Sequence, residues 1–336
     1  MTQPDAATAR NFDAARFRDL YRQMWRIRAF EEQALRGAKE GLVLGAIHPS
    51  IGQEAVAVGV CGRLNRDDIL LSTHRGHGHT LIKGAAPEAM MRELFGRDGG
   101  NCGGKGGSMH IADAGVGMLG ANGVVAANIP IAVGAAHAIR LRKESRIVCC
   151  IFGDGAINRG PFLEGLNWAK VFDLPVLFVC EDNRFAATTR TAAMTAGEGA
   201  AARAEALGIP ADSVDGNDLV AVDELVDETL QEVRAGGGPR LIVARTYRLT
   251  GHTGADPATY RPESEVATAW EDDPIARLAA TLEAAGVSQD DCAALARQAQ
   301  EEMAGVFERA SAAPWPPVGH AYTDVQDTGS PEERPW

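Results

Sequence analysis

The sequence has no apolar run near the roughly 18 residues that mark a membrane-spanning helix, and no continuous block of lysine or arginine. It carries 33 basic against 45 acidic side chains, a net charge of −12. These absences exclude a helical bilayer span and argue against nucleic acid or an anionic membrane as the main partner. A polyanion could still be held locally, by glycine loops and a metal. The opening MTQPDAATAR has no apolar stretch, so no secretory signal is expected there. Six cysteines, at 61, 102, 149, 150, 180 and 292, include no C-x-x-C pair. Cys149, Cys150 and Cys180 lie inside apolar runs and read as small hydrophobes of a reducing compartment. A cytoplasmic protein is the expectation. No internal repeat divides the 336 residues, which suffice for one large domain or two small ones.

What is present has the period of an α/β protein. Apolar positions at helical spacing (Phe17, Leu20, Tyr21, Met24, Ile27, Phe30) predict an amphipathic helix over 12–40. A loop and a helix are expected over 41–66, a short strand at 67–72, and a helix at 87–96 opened by Pro87. RIVCCIF (146–152), LPVLFVC (174–180) and LIVARTY (241–247) are continuous apolar runs bounded by turn residues, as buried parallel strands are. Helices are expected at 129–142, from the GDG turn to about 171, at 198–208 and at 219–235. The fold class that follows is α/β, a mostly parallel central sheet with helices on both faces. The division expected is a helical arm over 1–40, a main domain over 41–272, and a helical segment ending in a Pro-rich tail over 273–336.

Two stretches depart from this rhythm. Residues 98–125 hold ten glycines in 28 positions, interleaved with Met, His, Asn and Asp. A flexible connector would be richer in serine, and long loops inside compact domains are usually functional. The second stretch, STHRGHGHT (72–80), packs His74, His77, His79 and Arg75 into nine positions. From spacing alone it is a metal site, a catalytic cluster or a histidine-rich polar loop.

A third feature is a pair of strand ends. Asp154 stands in Gly153-Asp154-Gly155 after one apolar strand, and Asn183 follows the next, with 27 residues between Gly155 and Asn183. Ligands of open α/β sheets bind beyond the carboxyl ends of the strands. A carboxylate, an amide oxygen and nearby carbonyls are hard donors suited to Mg²⁺, which keeps positions for phosphate oxygens. The helix expected after GDG would aim its free N–H groups at the same place. GDG alone is common in plain turns; GDG with Asn at this spacing is a stronger signal.

GDG-x27-N resembles the thiamine diphosphate motif. GGKGGSMHIAD, GMLGANGVV, GDGAINRGPFLEGLNWAKVFDLPVLFVCEDN, VDGND and GHTGADPATYR resemble, in order, the alpha subunit of the first component of 2-oxo acid and acetoin dehydrogenase complexes. The likeness runs from about residue 45 to 290. It implies a thiamine diphosphate-binding fold, with Mg²⁺ held by Asp154, Asn183 and the backbone carbonyl of Phe185. The family often has tyrosine at that last position, which a backbone ligand does not notice, and Asn in place of Asp182. Gly153, Gly155 and Ala156 would border the diphosphate, and Arg75, beside His74, resembles the family's diphosphate-binding arginine. Gly123 and Val125 would contact the aminopyrimidine through their backbones. Val124 or Val125 would wedge the cofactor into its reactive shape; ordinary core is their plain alternative. His77 and His252 resemble the active-site histidines that handle charge and protons at the substrate. Residues 250–262 would be a mobile loop that orders over the diphosphate.

The resemblance also implies what this chain lacks. The glutamate that activates the cofactor would come from a separate beta subunit, in an assembly of two alpha and two beta chains. The product group would pass to a lipoyl-bearing acyltransferase. His-Arg-Gly-His-Gly-His at 74–79 and GMLGANG at 117–123 resemble acetoin types more than pyruvate types. The reading is acetoin cleavage, with pyruvate as the alternative and branched-chain 2-oxo acids third. A split transketolase half and a non-catalytic relative are the readings from other classes.

Overall fold

A computed structural model describes residues 12–43 and 45–324. The first ten residues and the far end of the Pro-rich tail, both read above from sequence, lie outside the described residues. The chain opens with α1 (Ala14–Lys39), α2 (Glu54–Cys61), β1 (Ile69–Thr73), α3 (His77–Lys83), α4 (Pro87–Leu94) and β2 (Met118–Asn122). It continues through α5 (Asn128–Arg142), β3 (Val148–Gly153), α6 (Gly160–Val171), β4 (Val176–Asp182) and the two-residue strands β5 (Phe185–Ala186) and β6 (Thr189–Arg190). Then follow α7 (Ala200–Glu205), β7 (Ala211–Asp215), α8 (Leu219–Arg234), β8 (Arg240–Arg245), α9 (Glu263–Glu271), α10 (Pro274–Ala284) and α11 (Gln289–Ser311).

Six strands form one sheet in the order β2-β1-β3-β4-β8-β7, and every pairing is parallel. Alternation along the strands divides the core. Cys149, Ile151, Leu177, Val179 and Ile242 pack with α1, α2, α8, α10 and α11 on one face. Val148, Cys150, Phe152, Val176, Phe178 and Cys180 pack with α5, α6 and α7 on the other. This is the doubly covered sheet that the apolar runs imply, because a strand buried on both faces has no polar side to show. Cys149, Cys150 and Cys180 are free, buried thiols among these residues. No described helix is long and apolar enough to cross a membrane.

The first and last helices pack together. Arg26 of α1 donates to Glu302 of α11 (Nε–Oε2 3.0 Å), and Arg28 pairs with Glu54 at 2.5 Å and Asp273 at 2.9 Å. The helical arm and the C-terminal segment thus pack on each other and on α2, on the face of the sheet that α2 and α8 also cover.

Three elements differ from expectation. The glycine-rich stretch contains β2, which pairs with β1, and Gly117 at its start has φ +77°, with Asp68 O only 2.3 Å from where a Cβ would stand. STHRGHGHT is not a loop: it runs from the end of β1 into α3. After GDG a 3-10 turn over Asp154–Asn158 comes first, and α6 starts at Gly160, so the N–H groups beside Asp154 belong to that turn.

Candidate functional site

Parallel pairing puts all carboxyl ends of the strands on one edge. The connection from β1 to β2 packs on one face and the connection from β3 to β4 on the other, so β1 and β3 flank the point where the winding reverses. A cavity of ≈ 370 Å³ opens there. Its lining includes His48, His74, Arg75, Gly123, Val124, Val125, Gly153, Asp154, Gly155, Ala156, Asn183, Phe185 and His252. Every expected site residue except His77 is on that wall.

Asp154 directly follows β3, with 4% of its surface exposed. Its Oδ1 accepts the Gly155 N–H at 3.1 Å and its Oδ2 accepts the Thr191 hydroxyl; no ion pair is among its contacts. Burial, with Asp182 close by, pushes its carboxyl up to about 6. Asn183 donates to Gln53 Oε1 at 2.9 Å and its Oδ1 accepts the Phe185 N–H at 3.2 Å, which curls the 183–185 backbone toward the cavity. The Gln53 amide nitrogen is buried without a partner. Asp182, the departure from the family pattern, accepts the Arg184 N–H at 3.1 Å and so caps the same curl. Gly155 has no room for a side chain: a Cβ would meet that of Ala186 at 2.7 Å.

Arg75 sits across the cavity, 3% exposed. It donates to Pro49 O (2.8 Å), His252 O (2.9 Å) and His252 Nδ1 (2.9 Å), all neutral acceptors. Burial and the nearby Arg248 lower it to about 9. A buried guanidinium without a carboxylate and a buried carboxylate without a cation share one cavity. Such charges are costly unless a ligand completes them. Arg248, also buried, lines the same cavity and donates to Ala187 O and Tyr260 OH.

Val124 and Val125 are 63% and 48% exposed, so core packing does not account for them. They project at the cavity mouth from a turn held by Asn122, whose Oδ1 accepts the Val124 N–H at 2.9 Å. Asn128 fixes that turn to the sheet through Ser72 O (2.6 Å) and Gly120 O (3.0 Å).

The three histidines of STHRGHGHT part company. His74 faces the cavity with His48 and His252, at ring-centroid separations of 4.7 and 5.6 Å. His79 bridges Ser72 Oγ (2.8 Å) and Glu181 (3.2 Å). His77, expected at the reacting centre, is instead fully buried outside the cavity. Its Nδ1 meets Glu31 Oε2 and its Nε2 meets Ser108 Oγ, both at 2.9 Å. As the first residue of α3 it points into the α1 interface, where it ties α1 to the glycine-rich stretch. His48, Gln53 and Arg248 line or support the site without any sequence signal: each is isolated in the chain and arrives by tertiary packing.

Residues 250–262, expected to be mobile, carry their own scaffold. Asp256 accepts the His252 N–H (2.6 Å), the Ala258 N–H (2.9 Å) and the Tyr260 hydroxyl (2.9 Å), and Gly254 N–H donates to Ile47 O at 2.9 Å.

Burial, with Arg75 beside them, lowers His48 and His252 to about 4 and His74 further. All three rings are neutral near pH 7. The sign for stability follows: below pH 6.5 the unfolded chain takes up protons that the folded chain refuses, so stability falls from 6.5 toward 4 and is unaffected above. Thermal melts between pH 8 and 5 are expected to drop more steeply for the parent chain than for His74→Gln.

The family model for the dehydrogenase E1 component matches residues 22–319. The chain is 41% identical over 308 residues to the alpha subunit of acetoin:2,6-dichlorophenolindophenol oxidoreductase of Cupriavidus necator, covering 91% of this chain and 92% of that protein. The subunit of the same name from Bacillus subtilis is 45% identical over 246 residues, 73% of this chain and 74% of its own length. The pyruvate dehydrogenase E1 component subunit alpha of Rhizobium meliloti is 37% identical over 307 residues, covering 91% and 88%. With the match spanning the sheet, the strand-end cavity and residues 250–262, the chain belongs to the dehydrogenase E1 component family.

Proposed function

We propose that this chain is the alpha subunit of a thiamine diphosphate-dependent dehydrogenase that cleaves acetoin. One observation carries the reading: Arg75 and Asp154 are buried across a single cavity with no ionic partner for either. A diphosphate and a divalent cation supply both missing charges at once. The residues fit that pair. Asp154, Asn183 and the Phe185 carbonyl would hold Mg²⁺ through oxygen, Arg75 would fork onto phosphate oxygens, and the orphaned Gln53 amide stands beside Asn183. Gly123, Val124 and Val125 offer a backbone edge and two apolar side chains for an aromatic ring. Bound thiamine diphosphate would supply the electron sink for breaking the bond next to a carbonyl.

The chain's own part is orientation and proton handling. Because Arg75 donates to His252 Nδ1, the neutral His252 ring keeps its proton on Nε2. His48 Nδ1 and His74 Nε2 are buried without partners. These neutral rings can exchange protons with a hydroxyl or carbonyl in the cavity. Acetoin is preferred over pyruvate because the relatives from C. necator and B. subtilis are both acetoin:2,6-dichlorophenolindophenol oxidoreductase alpha subunits.

Of the cavity's carboxylates, Glu181 is engaged by His79 and Asp154 serves the cation site. In keeping with that, the family resemblance assigns the activating glutamate to a beta subunit, in a two-alpha, two-beta assembly that passes its product to a lipoyl-bearing acyltransferase. With its beta partner, Mg²⁺ and thiamine diphosphate, the chain is expected to reduce dye faster with acetoin than with pyruvate. The reverse order would overturn the substrate; absence of cofactor binding would overturn the reading altogether.

A further inference from the structure

The cavity presents a second donor set of opposite chemical character to the first. His48, His74 and His252 each place one ring nitrogen within 4.8 Å of the other two. The rings converge edge-on, at interplanar angles of 75°, 79° and 61°. Two of their nitrogens, His48 Nδ1 and His74 Nε2, are buried and make no hydrogen bond. No carboxylate belongs to the cluster. We propose that His48, His74 and His252 form a three-imidazole site for a borderline-soft divalent cation such as Zn²⁺, separate from the oxygen-donor site at Asp154 and Asn183.

Three neutral nitrogens with one position left open is the arrangement of an accessible zinc site, and imidazole suits Zn²⁺, Co²⁺ and Cu²⁺ rather than Mg²⁺. The nitrogens stand further apart than a tetrahedral ion needs, so the rings must swing inward by about 1 Å to reach the ~2.0 Å of a Zn–N bond. The three come from separate irregular segments: 46–50, the turn after β1, and 250–262. Arg75 opposes a cation here and donates to His252 Nδ1, so occupancy costs that hydrogen bond or the tautomer it fixes. That repulsion excludes ions held by charge alone and leaves those that bind imidazole covalently. An ion so placed takes up the lone pairs of the rings assigned to proton transfer and adds charge at the cavity wall. The site is therefore inhibitory, a consequence that rests on the proposed function; the binding itself does not.

The test uses the full chain stripped of metal, without cofactor or substrate, so its outcome is independent of that reading. Titration with Co²⁺ is expected to give one bound ion per chain with the intense visible bands of a tetrahedral site, displaced by Zn²⁺ and unaffected by excess Mg²⁺. His48→Gln and His74→Gln should each weaken binding by about 100-fold or more, beyond the loss usual for a supporting residue, while Asp154→Asn keeps the bands. Equal Co²⁺ affinity in the histidine variants, or bands lost in Asp154→Asn, would overturn the proposal. X-ray absorption of the zinc-loaded parent chain decides without any variant: three imidazoles in the zinc shell support the site, and two or fewer sink it.

Discussion

Replacing Asp154 by asparagine is expected to make the free chain more stable while removing its magnesium-dependent cofactor binding. The carboxyl is 4% exposed, and burial raises it from 3.8 to about 6. For an acid whose folded value is raised, the charged form destabilises the fold. That cost is absent below pH 3.8, grows between 3.8 and 6, and is full above 6. A two-unit shift corresponds to about 3 kcal/mol at pH 7.5 as an upper figure. Asparagine keeps an oxygen for the Gly155 N–H and loses the charge, so urea melts of the metal-free chain should show a gain of about 1–3 kcal/mol. The same change deletes the anionic ligand of the proposed Mg²⁺ site. Thiamine diphosphate binding measured by calorimetry with Mg²⁺ should weaken by about 100-fold or more, the loss expected when a buried charged partner is removed. A variant that loses stability together with binding would mean that Asp154 is structural.

That opposition between stability and binding also governs what is legible in the amino-acid sequence. Cys149–Phe152 and Leu177–Cys180 announce themselves because a strand covered on both faces must be apolar at every position. Asp154 and Asn183 stand out for the complementary reason, as polar residues set where those runs stop. Neither signal needs a third dimension. Helix α3 shows the limit. His77, His79 and Lys83 look solvated, yet each is buried against a partner far along the chain: Glu31, Glu181, and the carbonyls of Asn65 and Arg66. Spacing left a metal site, a catalytic cluster and a polar loop all open, because the partners that satisfy these side chains are invisible to it. β2 hides for another reason, since glycines weaken the strand pattern exactly where the backbone must turn into the cavity. His48, Arg248 and Gln53 carry no local mark at all. Their roles arise because residues 46–53 and 246–262 meet over the strand ends, a contact fixed by hydrogen bonds such as Leu249 N to Ile51 O at 3.0 Å.

The second large effect is expected at Arg75. Arg75→Gln should reduce affinity for thiamine diphosphate, and for inorganic pyrophosphate as a bare probe of the anion site, by about 100-fold, near 3 kcal/mol. The guanidinium is the buried cation closest in role to a phosphate clamp, and its planar fork cannot be copied by an amide. Arg75→Lys tests charge against geometry. An ammonium restores the charge but not the paired N–H groups, and it cannot reach Pro49 O and His252 O together in the fork that holds residues 49 and 252 in place. If charge alone matters, lysine recovers most of the pyrophosphate affinity. If the fork matters, lysine recovers part of the pyrophosphate affinity and little of the catalytic rate, because His252 loses the donor that fixes its tautomer. The second pattern is the expected one. Pyrophosphate titrations of the three chains beside dye-reduction rates with the beta partner separate the two, and unchanged pyrophosphate affinity in Arg75→Gln would remove Arg75 from the anion site.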